Sequence, residues 1–105
     1  MTELKVGDKI IALDEEGYLK DFEQWDPDVA HVLAPREGID ELTDDHFIVL
    51  NTIRDYYKKF KVAPILNLLC RECGKSYREV HKLFLGKPGK RAAKIAGLPK
   101  PSGCV

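Results

Sequence analysis

The apolar pattern of this 105-residue chain changes period at Asp26-Pro27-Asp28, and that switch constrains the fold more than any other feature. Before it, Leu4, Val6, Ile10, Ile11, Leu13, Tyr18 and Leu19 alternate loosely, broken by Gly7-Asp8 and by Asp14-Glu15-Glu16-Gly17. That is the pattern of short antiparallel strands joined by turns. After it the spacing is helical. Asp26 supplies an N-cap, Pro27 the first helical position and Asp28 an acid in the first turn; Val29, Val32 and Leu33 follow, and the predicted helix stops near Pro35.

Four further helical signals follow. Thr43 with Asp44 and Asp45 starts the longest helix, whose apolar stripe of Phe47, Leu50, Tyr57 and Phe60, with Ile53 alongside, predicts core packing. Pro64 opens a helix through Ile65, Leu66, Leu68 and Leu69, with Gly74 suited to the position past its end. Ser76 and Glu79 form a capping box for a helix carrying Val80, Leu83 and Phe84. Lys87-Pro88-Gly89 reads as a turn, and Lys90 to Ala96 as a last short helix closed by Gly97. The expected fold is α+β and mostly helical: a small N-terminal antiparallel β-hairpin or meander, then four to five helices.

The predicted organisation is one domain, residues 1–97, followed by a flexible arm, residues 98–105. In Leu98-Pro99-Lys100-Pro101-Ser102-Gly103-Cys104-Val105 two prolines remove backbone donors and, with a glycine and a serine, discourage regular structure. A thiol on such a segment, one residue from the terminus, can be carried into another protein's site and withdrawn. No signal-peptide run and no apolar stretch of membrane-spanning length is present, and three cysteines are an odd number, so a cytoplasmic protein with reduced thiols and no membrane insertion is expected.

The zero net charge conceals a split. Residues 1–60 hold 7 of the 17 Lys and Arg and 15 of the 17 Asp and Glu; residues 61–105 hold the other 10 and 2. A nucleic-acid surface, an acidic protein partner, and halves that neutralise each other on folding all fit this asymmetry. The basic half contains the outline of a helix-turn-helix, in which Arg71, Lys75, Arg78 and Lys82 could reach phosphates, although Tyr77 and His81 are poor base readers. DNA binding is the less favoured function, because it leaves the cysteine arm unexplained.

Cys70 and Cys73 form a Cys-x-x-Cys pair. Buried structural cysteines, an auxiliary redox pair, and half a metal site are the three readings. No metal is expected, since His31, His46 and His81 lie scattered without ligand spacing. No nucleophile-base pair and no phosphate-binding glycine loop is visible, so no cofactor and no stand-alone catalytic site is expected.

The run Ala92-Ala93-Lys94-Ile95-Ala96-Gly97-Leu98-Pro99-Lys100-Pro101-Ser102-Gly103-Cys104-Val105 resembles the signature of the DsrC/TusE family of sulfur-carrier proteins, also known as the gamma subunit of dissimilatory sulfite reductase. Asp14 to Leu19, Trp25-Asp26-Pro27-Asp28-Val29-Ala30, Leu42-Thr43-Asp44-Asp45-His46, Arg54-Asp55-Tyr56-Tyr57 and Val62-Ala63-Pro64 agree in order and spacing. The resemblance implies a sulfurtransferase component that carries sulfane sulfur as a persulfide on Cys104, loaded by a sulfurtransferase donor. It also implies a second arm cysteine, eleven residues earlier, in the redox branch that serves dissimilatory sulfite reductase. Here that position is Ala93, native or introduced, so the expected role is that of a one-thiol carrier. The alternatives are a co-substrate of the reductase and a regulatory, DNA-binding paralogue. Lys100, Lys94, Arg91 and Lys90 precede the thiol and are candidates for lowering its pKa. Asn67, where the family commonly has arginine, and Leu85-Gly86-Lys87-Pro88, where it has Pro-x-Gly-Pro, depart from the pattern.

Overall fold

The computed structural model describes residues 2–99. Strands β1 (Thr2–Val6) and β2 (Lys9–Leu13) pair antiparallel with Leu4 opposite Ile11 and Val6 opposite Lys9. Gly7, at φ 59°, turns the chain between them in a conformation that costs glycine little. Alternation puts Leu4, Val6, Ile11 and Leu13 on the buried face, while Ile10 is exposed. The sheet is thus the hairpin form of the expected hairpin or meander, extended by one isolated bridge from Leu13 to Leu19 across a turn folded around the Asp14 carboxylate, which accepts from the Glu16 and Tyr18 amides.

Five helices follow: α1 (Pro27–Arg36), α2 (Asp44–Phe60), α3 (Leu66–Cys73), α4 (Tyr77–Leu83) and α5 (Pro88–Ile95). Their starts are chemically determined. Asp26, Thr43 and Ser76 accept hydrogen bonds from backbone amides at the heads of α1, α2 and α4, and Glu79 completes the capping box at Ser76. The sheet packs on α1 through Val29 and Leu33, and a second, larger cluster fills the space between helices with Leu50, Ile53, Leu69, Val80, Phe84 and Ile95. Trp25 touches both clusters.

Several boundaries differ from expectation. Helix α1 runs through Pro35 to Arg36, because a proline in the last turn forfeits one hydrogen bond while its own carbonyl still accepts from Gly38. Pro64 stands outside α3, whose N-cap is Ile65. Pro88, read as part of a turn, is the first residue of α5, where its missing N–H costs nothing. A short 3-10 turn at Phe22–Gln24 had no sequence signal. In the stripe of α2, Leu50 and Ile53 are buried as expected, but Phe60 is 58% exposed.

Leu98, assigned from sequence to the arm, is a fully buried member of the larger cluster, so the body extends one residue further. Lys100 and Cys104 lie outside the described residues.

Candidate functional site

The site is the point at which α5 ends and the C-terminal segment departs. Alanines at 92, 93 and 96 let α5 approach its neighbours closely, and with Ile95 and Leu98 they are buried. The helix is closed in the Schellman manner: Gly97 N–H donates to Lys94 O and Leu98 N–H to Ala93 O, each at 3.1 Å, with Gly97 at φ 75°.

The two carbonyls left over are bound by side chains from elsewhere. Trp25 Nε1 donates to Ile95 O at 2.8 Å, and Arg54 Nη1 donates to Ala96 O at 2.8 Å. The other arm of the guanidinium, Nη2, donates to Phe22 O at 3.0 Å. Arg54 is only 7% exposed and lies against the rings of Phe22 and Trp25, 3.8 and 4.4 Å from their centroids. Burial draws its pKa down, and the fields of Glu23 and Asp55 act against that. A guanidinium retains its charge at neutral pH regardless, and here it meets the negative end of α5.

Sequence reasoning gave neither Arg54 nor Trp25 a role of its own. The available signal was an arginine in a buried stripe: Arg54 follows Leu50 by four residues and precedes Tyr57 by three on α2.

Of the predicted supporting cations, Arg91 donates to Leu85 O at 2.7 Å and Phe84 O at 3.3 Å, which fixes the start of α5 against the end of α4. Lys94 lies 3.8 Å from Glu37 and 5.2 Å from the centre of the Tyr18 ring. Both therefore hold α5 to the body. Lys90 is exposed, and Ala93, where a second arm thiol would stand, is 5% exposed in the core.

Cys70 and Cys73 are unbridged, half-buried and packed on the larger cluster, and Cys73 Sγ points back to Cys70 O at 3.7 Å. Burial, with the proximity of Cys73 adding to it, pushes the Cys70 thiol up. The neutral thiol is thus the form the fold favours; its contribution is complete below the ordinary thiol pKa and is lost as pH rises through the raised value. Near pH 8, Cys70 should react with iodoacetamide several-fold more slowly in the native protein than in urea. Equal rates would show that the fold does not protect it.

His46 is buried and committed at both nitrogens, Nδ1 accepting from Thr43 N–H at 3.0 Å and Nε2 donating to Leu83 O at 2.8 Å. Among the described residues no group of three or more His, Cys, Asp or Glu could hold a metal. The helix-turn-helix-like pair is present as α3 and α4; Arg71, Arg78 and Lys82 are exposed, while Lys75 is bound to Asp45 at 2.9 Å. Lys75–Asp45 and Lys94–Glu37 are the ion pairs that cross between the acidic and basic halves among the described residues. Among the described residues no helix is long and apolar enough to cross a membrane.

The family model described as "DsrC like protein" matches residues 5–105. The chain belongs to the DsrC-like family. Over 105 residues, the whole of both chains, this DsrC-like chain is 40% identical to the dissimilatory-type sulfite reductase subunit gamma of Nitratidesulfovibrio vulgaris (strain Hildenborough). It is 38% identical to the sulfurtransferase TusE of Escherichia coli (strain K12), covering 92% of this chain and 94% of that one. Its fold superposes on the crystal structure of the oxidized gamma subunit of dissimilatory sulfite reductase (DsrC) from Archaeoglobus fulgidus with a TM-score of 0.88, at 40% identity, covering 99% and 100% of the two chains.

Proposed function

We propose that this DsrC-like protein is a cytoplasmic sulfur carrier that accepts and passes on sulfane sulfur as a persulfide on Cys104, without a catalytic site of its own. The observation that carries the reading is the anchored root: every carbonyl at the end of α5 is bound, Leu98 is buried, and Cys104 follows Pro99 by five residues. Chain length alone confines the Cys104 Cα to within about 18 Å of Pro99. A fixed root and a short tether make a thiol that a partner can receive at a defined place.

In the transfer, the Cys104 thiolate attacks the terminal sulfur of a donor persulfide. The donor's S–S bond breaks, the donor cysteine leaves as thiolate, and a new S–S bond forms on Cys104. The step is an exchange and needs no external oxidant. With Arg91 and Lys94 engaged in the body, Lys100 is the cation closest to Cys104 in sequence, and ionisation of the thiol falls mainly to the partner's site.

The partners are a sulfurtransferase donor and an acceptor. The match to a sulfite reductase gamma subunit over its entire length favours that reductase as acceptor, with Ala93 restricting the arm to one thiol. Incubated with a sulfurtransferase bearing labelled sulfane sulfur, the protein should take up about one equivalent of label that dithiothreitol releases. Uptake no greater than that of an unrelated thiol protein would contradict the carrier reading.

A further inference from the structure

The junction of α2 and α3 carries a surface that the fold does not use. Phe60, Val62 and Ile65 are 58, 56 and 73% exposed within six residues of chain, and Phe60 is held outward by stacking on Tyr56, ring centres 4.6 Å apart. Scattered single apolar residues on a surface are ordinary; three large ones in one turn are not. Lys61 lies within this segment and Lys58 and Lys59 directly precede it, all three exposed and without an ion pair among the described residues. Lysines in a last helical turn suit the helix dipole, which accounts for Lys58 and Lys59. It does not account for Lys61, which sits in the left-handed region at φ 60° as the C-cap of α2, at a conformational cost that glycine would avoid.

The position of this surface is informative. Phe60 lies six residues past Arg54 on α2, about 9 Å along the helix axis from the residue that holds the end of α5. Helix α2 thus carries both the residue that holds the end of α5 and this apolar surface.

We infer that the α2–α3 junction is the body's docking surface for the protein that receives the arm, and that this partner presents an apolar depression rimmed by carboxylates. The inference rests on the carrier reading. An apolar centre of Phe60, Val62 and Ile65 supplies the contact to be desolvated, and the lysines around it fix orientation and speed encounter with an acidic surface.

The test compares the full-length protein with Phe60→Ser/Ile65→Ser and Lys58→Glu/Lys59→Glu/Lys61→Glu, all at exposed positions and checked for native circular dichroism. Binding is measured to the catalytic subunits of a dissimilatory sulfite reductase and to a persulfidated sulfurtransferase, at low and high salt. Loading of Cys104 by inorganic polysulfide, which needs no docking, is measured in parallel. Both variants should bind at least tenfold more weakly, wild-type binding should weaken with salt, and polysulfide loading should be unchanged. Undiminished binding by the variants with intact loading would overturn the docking surface alone, as would wild-type binding to neither protein. Wild-type failure to load from polysulfide would instead overturn the carrier reading. Salt-sensitive binding of the wild type, and of neither variant, to phosphatidylglycerol vesicles would assign the surface to a membrane and overturn the protein partner.

Discussion

Alanine at Gly97 lowers stability by about 2–4 kcal/mol, at least twice the effect of the same change at Gly74. Both glycines follow a helix in the left-handed region, at φ 75° and 70°, so both substitutions incur a backbone cost of about 1–2 kcal/mol. The surroundings separate them. A Cβ at Gly74 meets nothing within 4 Å, whereas one at Gly97 would stand 2.4 Å from Trp25 Cδ1 and 2.8 Å from Cγ. Trp25 would have to move, and with it goes the hydrogen bond from Nε1 to Ile95 O that helps end α5. Urea denaturation gives both values, and the fluorescence of Trp25, the single tryptophan, reports the displacement. Equal costs at the two glycines would show that the ring yields freely and that the root is not tightly built.

Methionine at Arg54 has the largest expected effect, a loss of about 3–5 kcal/mol out of the 5–15 typical of a small domain. It retains the length of the side chain but leaves Ala96 O, whose hydrogen bond is buried, without a donor, and Phe22 O with only the 3.5 Å bond from Trp25 N–H. The melting temperature should fall by about 12 °C or more. Lysine at the same position retains the charge but not the planar fork that spans two carbonyls, and should recover no more than about half of the loss. If lysine restored full stability, Arg54 would be acting as a charge near the end of α5 and not as a two-point brace.

Much of the fold is written locally. Asp26, Thr43, Ser76 with Glu79, Gly74 and Gly97 mark helix ends because capping is an interaction of each residue with its own nearest backbone. Apolar spacing likewise locates Leu50, Ile53 and Val80 in the core. Arg54 and Trp25 escaped notice because their partners are main-chain carbonyls 42 and 70 residues away, and carbonyls are the same at every position of a sequence. Phe60 fits the apolar stripe by spacing but is exposed at the last residue of α2, a matter of where helices end relative to one another and not of period. Lys94 and Arg91 read as tail charges, yet their partners are Glu37 and the carbonyls that end α4. The site was legible as a terminal thiol; the brace that gives it a fixed origin was not.

Intact-protein mass spectrometry after exposure to a persulfidated sulfurtransferase tests the central claim most directly, applied to the wild type, Cys104→Ser and Cys70→Ser/Cys73→Ser. The wild type and the double variant should each gain about 32 Da, one sulfur atom lost again on treatment with dithiothreitol, and Cys104→Ser should gain nothing. A gain that persists in Cys104→Ser and disappears when Cys70 and Cys73 are replaced would place the working thiol on α3 and contradict the assignment of the carrier function to Cys104.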